Sequence, residues 1–453
     1  MKQYNRFSAR ASLAAVGVYL RQLKVWESVV EHVRIKQKQV KHAPLDKLMD
    51  AFINILAGGQ GIVEVNTRVR CDPALQRAFG RSACADQSTI SQTLNACDAQ
   101  AVNQLRQALQ VIYRSHSRGY RHTYDRCYQV LDVDLTGLVA GQQAEQATKG
   151  YFSGQRNRRG RQLGRVLTTR YDEIVFEKLY PGTVQLEQNL QELLLGAEEV
   201  LELSWAQRHR TIVRVDGGGG RDADINWLLS RGYFILVKVK NWKRAKKLAQ
   251  SVLQWHPDPK VPERQMGWVE TPYPYDYPTR QLALRWPKAD GQWHYRVLAF
   301  NLTDEMLFEL IRQSVPDPLT QEELLAAIVD AYDLRGGGVE TTIKGSKGGL
   351  GLHKRNKRRF AAQEMLVLLA QLAYNLISWV RNLLADRWPT FQHFGTLRMV
   401  RDVFHIAGKV HMTRQGQLLS IILNRAYGLA PPFLEALQPI LICNGTRLIL
   451  RQI

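Results

Sequence analysis

The chain has 453 residues, 45% of them hydrophobic, enough for two or three domains around a large buried core and too apolar for a disordered chain. Lys and Arg number 62 against 41 Asp and Glu, a formal charge of +21 that favours a polyanionic partner held by salt-sensitive contacts. The five cysteines form no CxxC pair, which argues against zinc and fits free thiols in a reducing cytoplasm, and the first residues lack the apolar core of a signal peptide.

Residues 1–125 are expected to form a helical region. Leu13, Val16, Leu20, Leu23, Val30 and Val33 recur at three- and four-residue steps, one apolar face of a helix, and Pro44 marks a break. Asp72-Pro73 starts a short helix ending near Phe79-Gly80, and Asp86 starts a second that runs to Leu94. The pair suggests a helix-turn-helix with Gln87, Ser88, Thr89, Ser91 and Gln92 facing out, with an ordinary helical hairpin as the alternative.

From Tyr128 the period changes to that of strands. Runs rich in Val, Leu, Ile and Tyr at 128–135, 161–169 and 173–179 precede a helix over 186–203. A strand at 211–216, a helix with Asp222 or Asp224 as N-cap and a strand at 233–239 complete the region 126–245. The order β-β-β-α-β-α-β is that of a ribonuclease H-like fold, an α/β mixed sheet in which right-handed crossovers set the first strand beside the fourth. Residues 246–318, rich in proline and aromatics with strand-like runs at 281–286 and 293–300, are expected to be an all-β insertion. Helical character resumes over 319–385, where the run Met365–Val380, broken by Gln371, Asn375 and Ser378, is too short for a bilayer and reads as a buried helix. A basic C-terminal region, 386–453, mixes helix with short apolar strands.

Three carboxylates stand out in this pattern. Asp134 lies in the first strand, Asp216 ends the fourth before four glycines, and Glu340 opens a segment that turns strongly basic. Acids on separate rigid elements in a cationic chain suit hard divalent ions held against phosphate oxygens, and Mg²⁺ accepts such ligands. Asp132 competes with Asp134, because a two-residue step returns to the same face of a strand, and Glu364 competes with Glu340. Two acid-free basic windows flank the acids. The first holds Lys149, Arg156, Arg158, Arg159, Arg161, Arg165 and Arg170; the second holds Lys344, Lys347, Lys354, Arg355, Lys357, Arg358 and Arg359. Interleaved glycines, Gly154 among them, would let a phosphate backbone approach.

The segment Tyr332-Asp-Leu-Arg335-Gly-Gly-Gly-Val-Glu340-Thr-Thr-Ile-Lys-Gly-Ser-Lys347 resembles the Tyr/Arg/Glu/Lys signature of bacterial insertion-sequence transposases of the DDE class. The family spacing is Y-x2-R-x3-E-x6-K; here four residues separate Arg335 from Glu340. Asp134-Leu-Thr136 looks like the family's first Asp motif and Arg214-Val-Asp216-Gly like its second. The resemblance, over about 128–385, implies cut-and-paste transposition: cleavage at terminal inverted repeats, then attack by the freed 3′-hydroxyl, often through a hairpin, and finally on target DNA. It implies Asp134, Asp216 and Glu340 as ligands of Mg²⁺, with Mn²⁺ substituting, and Tyr332, Arg335 and Lys347 as DNA contacts. Lys344, Arg158, Arg159, Arg161, Lys354 and Arg358 are the further expected DNA contacts, and Trp286 and Trp293 are candidates to stack on a flipped base. The expected partners are double-stranded DNA and, on it, a second copy of the chain, in the bacterial cytoplasm with no membrane. A nuclease of the same fold and an inactive DNA-binding derivative are the alternatives.

Overall fold

The computed structural model describes residues 4–38, 41–152, 155–413, 415–443 and 445–452. The switch from helical to alternating periodicity marks the start of a large mixed sheet. Its strands run in the spatial order Gln155–Thr168, Gln129–Val139, Thr211–Val215, Phe234–Lys238, and both Thr148–Phe152 and Glu173–Pro181 pair with Gln155–Thr168. Gln129–Val139, Thr211–Val215 and Phe234–Lys238 pair in parallel, so each connection needs a crossover, supplied by helices Leu186–Leu201 and Asp222–Ser230. The register places Asp132 opposite Arg214 and Val215 opposite Val237. Asp134 and Asp216 therefore leave neighbouring strands at the same end of the sheet, as expected.

The region expected as a β insertion does carry strands, and they extend this sheet. Trp293–Phe300 pairs antiparallel with Phe234–Lys238, followed by Arg280–Pro287, Gln265–Trp268 and His256–Pro257. Helices Asp304–Leu310 and Gln321–Arg335 cover one face, burying Leu307, Leu325, Ile328 and Val329 on Ile212, Leu236, Leu298 and Phe300. Each such side chain contributes about 1.5–3 kcal/mol by leaving water. Asp222 and Asp224 sit in the first turn of their helix; the N-cap is Arg221. Asp222 instead meets Arg244 through two 2.7 Å hydrogen bonds.

Contacts divide the chain into two compact units that are discontinuous in sequence. One comprises Arg118–Gly137 and Gln162–Thr341 and holds most of the sheet just described. The other comprises Met1–Ser117, Leu138–Arg161 and Thr342–Ile453. In the second unit, Asp72 caps helix Pro73–Ala78 and Asp86 caps helix Gln87–Ala96 through short acceptor bonds to Leu75 and Thr89, as the sequence indicates. Pro44, expected as a break, is the first residue of helix Pro44–Leu56, where its missing N–H costs nothing.

Helix Phe360–Ala385 is longer than its apolar run and long enough to cross a bilayer, but 89% of its most apolar window is buried inside the protein. It is a core helix because the polar side chains Gln371, Asn375 and Ser378 are buried along with the apolar ones. A strand that helical periodicity hid, Tyr4–Ser8, pairs with Gly408–Met412 in a four-stranded sheet completed by Leu418–Asn424 and Arg447–Arg451. Its partner lies at the far end of the chain, so no local pattern announces it.

Candidate active site

The three carboxylates all fall in the first unit. Asp134 projects from the central strand and is 17% exposed; its carboxylate accepts the Leu135 N–H at 2.8 Å. Asp216 follows directly on the next strand, where its Oδ1 accepts the Gly218 N–H at 2.8 Å. Glu340, 48% exposed, closes the turn Gly336–Glu340 at the end of helix Gln321–Arg335.

That turn is π-helical, and it accounts for the extra residue in the motif. A π turn holds one residue more than an α turn, so residues five apart face the same side. Arg335 and Glu340 accordingly meet at 3.3 Å. Gly338, at the kink, must be glycine: a Cβ there would stand 2.7 Å from Asp132 Oδ2 and 2.8 Å from the Thr169 methyl.

Arg335 is the centre of the arrangement. Only 4% exposed, its guanidinium lies 3.3 Å from Asp134 and 3.3 Å from Glu340 and donates to the Val133 carbonyl at 3.1 Å, while its buried Nε has no partner among the described residues. Burial pushes the Asp134 carboxyl up to about 6; Arg335 opposes the rise, and the negative charges of Asp216 and Glu340 add to it. Asp134, Asp216 and the buried Asp132 hold the Arg335 guanidinium above its ordinary value against the effect of burial. Tyr332, expected to meet DNA, is half-buried against the core, and burial raises its phenol.

Beneath this layer, Asp132 is a different kind of carboxylate. It is fully buried and takes two short bonds from Arg214, at 2.7 and 2.8 Å, and a third from the Thr169 hydroxyl at 2.5 Å. Arg214 also donates to the Ala331 carbonyl at 2.6 Å, so the pair ties the end of helix Gln321–Arg335 to the sheet. Three short side-chain bonds occupy Asp132, whereas Asp134 accepts one backbone N–H and faces Arg335 at 3.3 Å.

Sequence reasoning does not single out Lys238 and Arg296. Lys238 ends a strand beside Asp216, and burial lowers its ammonium while Asp216 raises it. The signal is a lysine in the otherwise apolar run Tyr233-Phe-Ile-Leu-Val-Lys-Val239.

Hard oxygen donors of this kind fit a divalent cation in chemistry, and the carboxylates already draw a positive group between them. In this structure that group is Arg335, and among the described residues no three His, Cys, Asp or Glu side chains converge closely enough to hold an ion.

The second unit carries the remaining expected contacts. Arg161 is buried and spends its guanidinium on the carbonyls of Glu145, Lys357 and Arg358, at 2.8 to 2.9 Å. It is a staple for the basic loop rather than a surface cation. Arg355, also buried, bonds to the carbonyls of Leu350 and Gly59, and burial lowers it to about 9. Lys344, Lys354, Arg358 and Arg158 are exposed, Lys347 and Arg159 are half-buried, and the Arg156 side chain and Gly154 lie outside the described residues. The outward helix Gln87–Ala96 is engaged by this loop: Lys357 meets the Ser91 hydroxyl at 2.6 Å and Arg359 the Asn95 carbonyl. Glu364 is paired with Arg106 at 2.9 Å. In the first unit, Arg165 is buried against Glu177, and Arg170 meets Glu309 at 2.7 Å. Charge counted along the sequence therefore overstates what faces solvent.

Of the two tryptophans considered for stacking, Trp286 packs against the sheet core and the His294 ring. Trp293 is 38% exposed, with the Arg285 guanidinium 4.5 Å from its ring.

No curated protein matches the chain at a significant level. Among solved structures it is similar to a piggyBac transposase in a synaptic complex with hairpin DNA, with 12% identity and a TM-score of 0.48 over 85% of this chain and 79% of that chain. A family model described as transposase DDE domain, group 1, matches residues 13–441, nearly the whole chain. The protein belongs to that family of DNA-transposing phosphoryl-transfer enzymes.

Proposed function

We propose that this protein is a cut-and-paste transposase that cleaves DNA at the terminal inverted repeats of an insertion sequence and joins the freed ends to target DNA. One observation carries the reading. Asp216 and Glu340, on two further elements, both lie within electrostatic reach of Asp134, which burial holds far above an ordinary carboxylate. The strand order, with the two Asp strands adjacent in parallel, supports a ribonuclease H-like core.

In this reading Asp134, Asp216 and Glu340 hold Mg²⁺, or Mn²⁺ in its place. Bound there, the ion would neutralise phosphate oxygens and activate the attacking water or 3′-hydroxyl. The chain's own groups set the stage. Arg335 keeps Asp134 and Glu340 close together, and the Asp132–Arg214 pair holds the helix that carries both Arg335 and Glu340. Exposed Lys344, Lys354, Arg358 and Arg158 are the phosphate contacts of the second unit. Two element ends call for two active sites, hence a homodimer on DNA, at work on the bacterial nucleoid.

The test is metal-dependent cleavage of a plasmid bearing the inverted repeats that flank the coding sequence. Cutting at the repeat ends followed by strand-transfer products supports transposition, and cutting without joining indicates a nuclease. A wild-type protein that binds the repeats and never cuts with Mg²⁺ or Mn²⁺ would be an inactive DNA-binding derivative. That competing reading is favoured by one feature, the guanidinium lodged between two of the acids.

A further inference from the structure

We propose that Lys238 and Arg296 together grip a phosphodiester of the DNA substrate beside the three carboxylates. The inference rests on the DNA-processing reading above and adds two substrate contacts to it.

Backbone register puts the pair in place. Thr211–Val215 and Phe234–Lys238 run in parallel with Val215 opposite Val237, so Asp216 and Lys238 leave adjacent strands one step later at the same end. Leu298 lies opposite Lys238 on the next, antiparallel strand, and Arg296, two residues along that strand, shares its face. Ligand sites in open α/β sheets gather at this carboxyl end of parallel strands.

The glycines after Asp216 make room for the lysine. A Cβ on Gly217 would stand 3.0 Å from Lys238 Cε, so the lysine stem runs along that glycine instead of out to solvent. A Cβ on Gly220 would meet the Lys238 carbonyl at 1.9 Å, so the loop can close over the strand end only with glycine there. The Lys238 stem passes Gly217, the residue after Asp216, at the same end of the sheet.

Among the described residues no carboxylate is within ion-pair distance of either group, and the one side-chain bond of Arg296 is to the Tyr295 carbonyl at 2.8 Å. Two half-buried like charges on one face of adjacent strands repel, and a phosphate accepts from both. Burial holds each below its ordinary value, the mark of cations kept partly out of water.

The experiment uses the full chain, with Lys238→Met, which retains the stem that packs on Gly217, Arg296→Gln, and the charge-keeping Lys238→Arg. Binding to a duplex spanning the flanking inverted repeat is followed against salt without divalent ions, and cutting is followed with Mg²⁺. Each of the first two variants should flatten the slope of log Kd against log salt by about one contact and slow cutting roughly tenfold to a hundredfold. Lys238→Arg should recover most of the rate. A methylphosphonate replacing the contacted phosphate should flatten the wild-type slope and leave the Lys238→Met slope unchanged. Wild-type slopes in both variants, or a flattened slope that no neutralised phosphate reproduces, would overturn the inference. A wild-type protein that binds but never cuts defeats the transposase reading instead, while the slopes still decide on the phosphate contact.

Discussion

Two layers of charge lie two residues apart on one strand and differ in almost every respect. In the inner layer Asp132 is fully buried and closed by Arg214 and Thr169 at 2.5 to 2.8 Å. In the outer layer Asp134 shares one guanidinium with Glu340 at 3.3 Å and is pushed up to about 6. A closed pair has met its desolvation cost with short bonds and is inert; an open one stores an unmet demand for positive charge. The difference separates a carboxylate that builds the site from one that can work in it.

Substitutions break the comparison most strongly in the outer layer's activity. Asp134→Ala, Asp216→Ala and Glu340→Ala should each lower cleavage at the repeat ends by at least about a hundredfold while DNA binding and melting temperature stay near wild type. An unfolded Asp134→Ala protein would erase the distinction.

In the inner layer the loss should appear as stability. Arg214→Met leaves Asp132 buried and uncompensated and should cost about 3–5 kcal/mol in urea unfolding. Adding Asp132→Leu should return much of it, since an apolar pair needs no counter-charge.

The pH dependence follows from Asp134. Its folded carboxyl titrates at about 6 against 3.8 in an unfolded chain, so between these values folding takes up a proton. Its stabilising contribution, about 3 kcal/mol at most, is complete below about pH 4 and is lost as the pH rises through about 6. Melts of the metal-free protein should show this decline, and Asp134→Asn should remove it.

A smaller effect tests how tightly the layers touch. Gly338→Ala drives a methyl against Asp132 and Thr169 and should cost about 1–3 kcal/mol, displacing the π turn and with it Glu340. Arg358→Ala, at an exposed site, should change stability by less than about 0.5 kcal/mol and appear only as weaker, less salt-sensitive DNA binding.

Local chemistry made much of the molecule legible in its sequence. Short apolar runs announce the strand carrying Asp134 and the one that ends before Asp216, because a strand buried on both faces of a sheet reads as a near-continuous apolar run. Asp72 and Asp86 announce two helix starts, because a short acceptor satisfies the first free N–H groups. The motif around Glu340 marks the third acid, since its identity is chemical and local. Tertiary structure decided the rest, for reasons of distance and partnership. Tyr4–Ser8 becomes a strand only by pairing with Gly408–Met412, and the strands from His256 to Phe300 join the main sheet through the edge offered by Phe234–Lys238. Arg161 and Arg165 look like DNA contacts in a count of charges and are buried staples in the fold, since a sequence lists cations but not the carbonyls and carboxylates that claim them. Lys238, marked in the sequence only as a lysine in an apolar run, gains its place beside Asp216 from a parallel register and a glycine that lets its stem pass. Residue type set what each group can do; burial and partners decided which of them is left to do it.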